Sequence, residues 1–153
     1  VGVAPLLPII KAMKAAGNSV VSVLAGRTRE LVILEEQVRQ YSDEVVIMTD
    51  DGSYGKKGLI TAGVEEVILR EKVDQVVTIG PAIMMKFVAL LTKKYEIPTV
   101  CSLNTVMVDG TGMCGACRIT VGGQTKFVCI DGPEFDAHQL NCDEMLLRRK
   151  AYN

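Results

Sequence analysis

The sequence predicts an α/β protein, a three-layer domain with an open parallel sheet of about four strands, followed by a cysteine-bearing loop and hairpin. Near-continuous apolar runs rich in β-branched residues, starting at Ser19, Glu44, Gln75 and Pro98, alternate with stretches whose apolar residues recur at helical spacing. That alternation predicts the parallel sheet. The segments RITV and QTKFVC flank Gly122-Gly123, a two-residue connection of the kind that joins antiparallel strands, and this predicts the hairpin.

A chain of 153 residues, 48% of them hydrophobic, is long enough to bury a real core. The net charge is −1 with acids and bases interspersed, which argues against a nucleic-acid or membrane-surface partner. No run of about eighteen apolar residues occurs, and the N-terminus lacks the basic region and cleavage site of a signal peptide, so a cytoplasmic location is expected. Five cysteines, an odd count in a chain too apolar to need stapling, fit a reducing compartment with metal-bound thiols.

In chain order, VGVAPLLPIIKAMKAAG should turn at Gly2 and enter a helix at or just after Pro5, with Pro8 still inside the first turn and Gly17 as the stop. Ser19–Gly26 reads as a buried strand. Arg27–Tyr41 reads as one helix with Thr28 as N-cap and Leu31, Leu34 and Val38 on one face. A strand at Glu44–Asp50, a loop of three glycines and a helix from about Leu59 to Glu71 follow. The strand Gln75–Gly80 then leads through Pro81 into a helix ending near Tyr95, whose apolar face should hold Phe87, Leu90 and Leu91; Met84 and Met85 are expected in the core. Pro98 opens the last parallel strand, with Cys101 as a buried apolar side chain. In the tail, Asn141 or Asp143 should cap a helix with a basic end; Cys142 is expected to be unliganded, and His138 is the sole histidine.

The stretch from Asp109 to Cys129 reads DGTGMCGACRITVGGQTKFVC and carries the chemistry. Cys114 and Cys117 form a CxxC pair among Gly110, Gly112 and Gly115, whose freedom at positive φ lets the backbone wrap a metal group and aim N–H groups at its sulfurs. The hairpin returns Cys129 toward that pair, and Asp109 is the nearest upstream donor for a fourth position. The resulting Asp-x4-Cys-x2-Cys-x11-Cys pattern lacks the two ligand pairs usual in structural zinc sites. Its x4-x2 spacing is that of plant-type [2Fe–2S] loops, with a harder carboxylate in place of the first thiolate. A zinc site, or cysteines that are only buried apolar side chains beside a turn-capping aspartate, are the alternatives.

The longer run SLNTVMVDGTGMCGACRITVGGQTKFVCIDGPEF resembles the cluster loop of ferredoxin–NADP reductase-like electron-transfer subunits. These include the electron-transfer subunit of dihydroorotate dehydrogenase, where cysteine is the first ligand, and the small subunit of the NADH-dependent ferredoxin:NADP oxidoreductase and sulfide dehydrogenase group, where aspartate stands there. Asp109 favours the second branch. VGVAPLLP is similar to the family's glycine-rich turn, which implies that Gly2, Val3, Ala4 and Pro5 face a cofactor pyrophosphate. DGSYGKKG is similar to the family's loop on the nicotinamide and ribose side, which implies roles for Asp51, Gly52 and Ser53, and Gly80-Pro81 matches its GP turn. Arg27 and Thr28, at the end of the first visible strand, are placed for an adenosine ribose or its 2′-phosphate; ordinary solvated salt bridges are the other reading of the arginine.

The resemblance implies a ferredoxin reductase-like NAD(P)-binding domain at 1–104, without its first strand and the flavin-binding barrel before it, a [2Fe–2S] loop and hairpin at 105–135, and a helical tail at 136–153. It implies electron transfer between NAD(P)H, FAD and a [2Fe–2S] cluster held by Asp109, Cys114, Cys117 and Cys129. The expected partners are a larger catalytic or flavin iron–sulfur subunit and ferredoxin. No catalytic residue is expected, because the cofactors carry the redox chemistry. A dihydroorotate dehydrogenase electron-transfer subunit, a hydrogenase or sulfhydrogenase diaphorase subunit, and a zinc-stabilised interaction module without redox function are the rival readings.

Overall fold

Residues 2–150 are described by the computed structural model, in which the chain forms two units, the first ending at Val73 and the second beginning at Asp74. The parallel strands expected from the apolar runs are present, in two ladders, one in each unit.

The first unit comprises α1 (Val3–Ala15), β1 (Val21–Gly26), a 3₁₀ turn (Arg29–Leu31), α2 (Glu35–Tyr41), β2 (Glu44–Thr49), the two-residue β3 (Lys56–Lys57) and α3 (Ile60–Arg70). Strand β2 lies between β1 and β3, parallel to both, in register from Val21 opposite Glu44 to Gly26 opposite Thr49. Its two apolar clusters explain why these strands read as continuous hydrophobic runs. Ile10, Leu24 and Val38 form one, while Val46, Met48 and Val67 form the other with Val21, Val23 and Val73 against them.

Three expectations for this unit are corrected. Helix α1 starts at Val3, so Pro8 lies beyond the first turn, inside the helix. Its missing N–H removes one intrahelical bond, the one to the Ala4 carbonyl, and Ala4 is exposed to water. The single helix expected over Arg27–Tyr41 is broken into the 3₁₀ turn and the seven-residue α2, with Leu34 in the left-handed region at φ 58° between them. Val32 packs on the Ile10–Leu24–Val38 cluster while Leu31 and Ile33 stay half exposed, so consecutive apolar residues point apart instead of following a helical face. Thr28 precedes the 3₁₀ turn in extended conformation, but its hydroxyl donates to the Glu30 carboxylate at 2.6 Å and caps no backbone N–H.

Asp43 ties α1 to β2: it accepts from Lys14 Nζ at 2.5 Å and from the Val20 N–H at 2.8 Å. The Lys14 ammonium, and then the Val20 amide, hold its carboxyl below the usual range. A depressed folded pKa contributes stability that is complete above the unfolded carboxylate value and is lost as pH falls through the folded one. Urea midpoints of the wild type and Asp43→Asn should therefore differ by a constant amount at neutral pH and converge below about pH 4. A gap that persists in acid would mean that the bond network, not the charge, is what Asp43 supplies.

The second unit comprises β4 (Val76–Ile79), α4 (Ala82–Lys94), β5 (Thr99–Ser102), β6 (Arg118–Val121), β7 (Gln124–Phe127), the short α5 (Val128–Asp131), β8 (Glu134–Asp136) and α6 (Cys142–Lys150). Strands β4 and β5 are parallel, and β8 adds an antiparallel edge to β5, with Ser102 opposite Glu134. The hairpin β6–β7 forms as expected: Gly122 and Gly123 both take positive φ, 56° and 77°, as a type I′ turn requires. Met85, Cys101, Leu103, Cys117, Ile119, Val128 and Met145 share one core, so the hairpin and tail are packed with α4 and β5, and the unit has no structural break at 104 or 135. The buried face of α4 is Ala82, Met85, Val88, Ala89 and Thr92; Phe87 and Leu90, expected on it, are 53% and 54% exposed. Met85 is in the core as expected, and Cys101 is wholly buried, its thiol pushed up to about 12 by desolvation. His138 has a structural partner, its Nε2 lying 3.0 Å from Thr92 Oγ1.

Candidate metal centre and nucleotide loops

The second unit carries the cysteine loop between β5 and β6. Asp109 organises its first half: one carboxylate oxygen accepts the Thr111 N–H at 2.9 Å and the other accepts the Cys114 N–H at 3.1 Å. The Thr111 and Cys114 amides hold the Asp109 carboxyl below the usual carboxylate range. Cys114 is exposed, and its sulfur accepts from the Ala116 N–H at 3.5 Å. Cys117 begins the buried part of the loop at 2% exposure, and its thiol lies 3.3 Å from that of Cys129.

Cys129 was expected at the end of a strand but lies in the first turn of α5, where the Val128 N–H still reaches the Cys117 carbonyl at 3.3 Å. The Cys117 thiol, together with burial, raises the pKa of Cys129, and the Gly112 N–H opposes that rise. The expected donors are thus linked in two ways: Cys117 and Cys129 thiol to thiol, and Asp109 to the backbone of Cys114. Among the described residues no three such donors converge closely enough to hold a single ion. Two thiols already within 3.3 Å, a third thiol and a carboxylate on a glycine-bearing loop form a donor set that fits an iron–sulfur cluster. Cys142 stands outside this set at the start of α6, partly buried, with its thiol raised by desolvation.

In the first unit, the ends of β1 and β2 bring together five of the residues expected at a nucleotide. The Asp51 N–H donates to the Arg27 carbonyl at 3.3 Å, and the Arg29 N–H donates to Ser53 Oγ at 2.9 Å. Ser53 in turn donates both its N–H and its hydroxyl to Asp51, at 2.9 and 2.7 Å, which holds that carboxyl below its ordinary range. Arg27, Thr28, Asp51, Gly52 and Ser53 therefore share one hydrogen-bonded pair of loops. Gly2, Val3, Ala4 and Pro5 cap and form the first turn of α1, with Gly2 in the right-handed region and no acidic side chain in that turn. Such a turn leaves backbone N–H groups and the positive end of the helix open to an anion.

Gly80 and Pro81 belong to the second unit. Gly80 follows β4 at φ 157°, and Pro81 caps α4. Asn104 and Arg148 were missed from the sequence, and Arg29, expected beside Arg27 at the strand end, gains a ring contact that was not. Asn104 donates its side-chain N–H to the Gly80 carbonyl at 3.3 Å, Arg29 stacks 5.1 Å from the Tyr54 ring centre, and Arg148 reaches back to the cysteine loop. Asn104 lies in a loop, Arg29 in the 3₁₀ turn and Arg148 on α6, and only the fold gives each this partner.

A family model for the iron–sulfur cluster binding domain of dihydroorotate dehydrogenase B matches residues 104–141, the segment that contains all four expected ligands. A Thermotoga maritima homologue of the dihydroorotate dehydrogenase B (NAD(+)) electron transfer subunit is 47% identical over 152 residues, covering 99% of this chain and 54% of the relative. A probable electron transfer subunit of the same enzyme from Methanocaldococcus jannaschii is 36% identical over 135 residues, covering 88% of this chain and 51% of the relative. The chain spans about half the length of the curated relatives it matches. A solved structure of NADH-dependent reduced ferredoxin–NADP oxidoreductase, studied for flavin-based electron bifurcation, superposes with a TM-score of 0.91 at 45% identity, covering 100% of this chain and 55% of that one.

The second unit thus carries a segment of the iron–sulfur cluster binding type, and the chain has the ferredoxin reductase-like fold. Over its own length the chain is similar to ferredoxin reductase-like electron-transfer subunits, in both the dihydroorotate dehydrogenase B and the ferredoxin–NADP oxidoreductase branches. The descriptions of these relatives name an iron–sulfur cluster, NAD(+), NADP and flavin chemistry, in line with the expected [2Fe–2S], NAD(P)H and FAD set. Among the described residues no helix is long and apolar enough to cross a membrane.

Proposed function

We propose that this chain is the nucleotide- and cluster-bearing part of the electron-transfer subunit of a flavin-dependent NAD(P)H oxidoreductase, exchanging electrons with a larger catalytic or iron–sulfur flavoprotein subunit or with ferredoxin. The observation that carries this reading is the Asp109–Cys129 loop, with the Cys117 and Cys129 thiols held 3.3 Å apart beside a carboxylate and an exposed third thiol. Asp109, Cys114, Cys117 and Cys129 would hold the cluster. The first turn of α1, from Gly2 to Pro5, would receive the pyrophosphate, Arg27 and Thr28 the adenosine ribose or its 2′-phosphate, and Asp51, Gly52 and Ser53 the nicotinamide and ribose side; Gly80 and Pro81 would let the backbone approach a cofactor closely.

A nucleotide held at these loops would supply hydride chemistry, and a cluster held by Asp109, Cys114, Cys117 and Cys129 would supply one-electron chemistry. The chain's residues contribute binding and orientation. Asp51 and Ser53 brace the loop against Arg29, and the buried Cys117 fixes one end of the ligand set in the core. Asp109 favours the ferredoxin–NADP oxidoreductase branch over dihydroorotate dehydrogenase. Cytoplasmic reducing conditions suit its free thiols.

The test is an anaerobic absorption and electron paramagnetic resonance spectrum before and after dithionite, with iron and acid-labile sulfide assays. About two irons and two sulfides per chain with a reduced [2Fe–2S] signal are expected. A colourless protein reconstituting only with zinc would overturn the reading in favour of a structural module.

A further inference from the structure

The CxxC loop has a partner distant in sequence. Gly115 and Ala116, the two residues between Cys114 and Cys117, direct their carbonyls at arginines: Arg148 Nη2, on α6, lies 3.3 Å from the Ala116 oxygen and 3.5 Å from the Gly115 oxygen, and Arg118 Nη1 lies 3.2 Å from the Gly115 oxygen. Behind the loop is a small cavity bordered by Thr105, Ala116, Arg118 and Arg148, and the buried Thr105 hydroxyl has no partner there. Val106, Ile119 and Met145 also border this space, so apolar side chains back the turn without filling it, and Arg148 is the polar contact that reaches it from α6.

We infer that Arg148 is a positioning residue for the cluster loop and that its charge raises the reduction potential of the group bound there. This rests on reading Asp109–Cys129 as a cluster site. Both carbonyls are met by one nitrogen, Nη2, held in a rigid planar head, whereas a lysine ammonium swings on a flexible stem, so the hold on the turn should weaken in Arg148→Lys. The charge effect should not. Three thiolates and a carboxylate make the site strongly anionic, and an added electron makes it more so; a fixed positive charge on the intervening peptide favours the reduced state. Arg118 shares the Gly115 carbonyl but is exposed and lies on the hairpin itself, whereas Arg148 ties the loop to a separate element, α6.

Two variants separate hold from charge: Arg148→Lys keeps only the charge, and Arg148→Met keeps neither. In the full-length protein stripped of its cluster, iodoacetamide labelling of Cys117, read by peptide mass mapping, should accelerate about tenfold in both variants, the factor expected from losing a charge-assisted hydrogen bond. Labelling of the buried Cys101 should not change. In the reconstituted protein, Arg148→Met should have a lower midpoint potential than the wild type, with Arg148→Lys close to it.

Unchanged Cys117 labelling in both variants would overturn the positioning role, as would Cys101 labelling that rises in step, since Arg148 would then support the unit as a whole. Equal potentials in Arg148→Met and the wild type would overturn the charge role. If even the wild type takes up no iron and sulfide, the cluster reading fails, while the labelling of the stripped protein still decides whether Arg148 holds the turn.

Discussion

Cys117→Ser should leave the chain folded and strip it of its cluster. Cys117 is the one expected ligand built into the core, 2% exposed and packed with Met85, Ile119 and Val128, so its sulfur position is fixed by the fold rather than by the loop. Serine fits the space but offers a hard oxygen with a far higher pKa than a thiol and breaks the thiol pair with Cys129. Loss of a supporting contact around a metal costs roughly 10–100-fold in affinity, and loss of a direct ligand should cost at least as much. Iron and sulfide per chain should fall accordingly. Burying the hydroxyl costs about 1–3 kcal/mol of stability, which a thermal melt will register without loss of the circular dichroism of the folded chain. Cys142→Ser is the control, because Cys142 lies at the start of α6 outside the ligand set. A Cys117→Ser protein with a full complement of iron, or a Cys142→Ser protein without it, would refute the ligand assignment.

Gly55→Ala should be among the most damaging small substitutions in the first unit. Gly55 sits at φ 66°, and a Cβ added there would lie 2.3 Å from the carbonyl oxygen of Ile47, a backbone atom of the central strand β2 that has nowhere to move. The left-handed conformation alone costs an alanine about 1 kcal/mol. Relieving the clash requires β2 or the loop to shift, so a total of about 2–4 kcal/mol is expected from urea unfolding. Gly17→Ala isolates the first contribution, since Gly17 has φ 85° and open space around its Cα. If the two substitutions cost the same, the close approach to Ile47 is not what the glycine serves. The same loop includes Tyr54, whose backbone carbonyl and N–H both bond Thr49 Oγ1, and it presents Asp51 and Ser53. Nucleotide affinity should therefore fall with stability in Gly55→Ala and be untouched in Gly17→Ala.

Much of this was legible from local patterns. Buried parallel strands are apolar on both faces, so β1, β2, β4 and β5 are visible as runs, and a Gly-Gly turn with both residues at positive φ defines the β6–β7 hairpin without tertiary information. The cysteine spacing is legible for the same reason: the four expected ligands lie within one short segment.

What was not legible depends on distant partners. Leu34 adopts φ 58° because Val32 and Val38 must both reach the core shared with Ile10 and Leu24, and nothing in RELVILEE announces that. Phe87 and Leu90 have helical spacing with each other, yet the face of α4 chosen for burial is the one bearing the small residues Ala82 and Ala89, which let Met85 and the β5 side chains pack closely. Strand β8 is three residues long and carries two acids, so only its pairing to β5 identifies it. Nor could spacing reveal that Ser53 braces Arg29 or that Arg148 reaches Gly115 and Ala116.

The pairing of β5 with β8 has a consequence for how this cluster segment can change. The chain leaves β5 after Ser102 and returns to lie opposite that same residue at Glu134, while the Leu103 N–H bonds the Pro133 carbonyl at 2.9 Å. The intervening residues thus begin and end at one point and form a nearly closed ring clasped on a single strand. Such a ring keeps both its ends at one clasp, so a change of length in its exposed first half, around Gly110 and Gly112, leaves the β4–β5 pairing in register as long as Cys117, Ile119 and Val128 keep their places in the core.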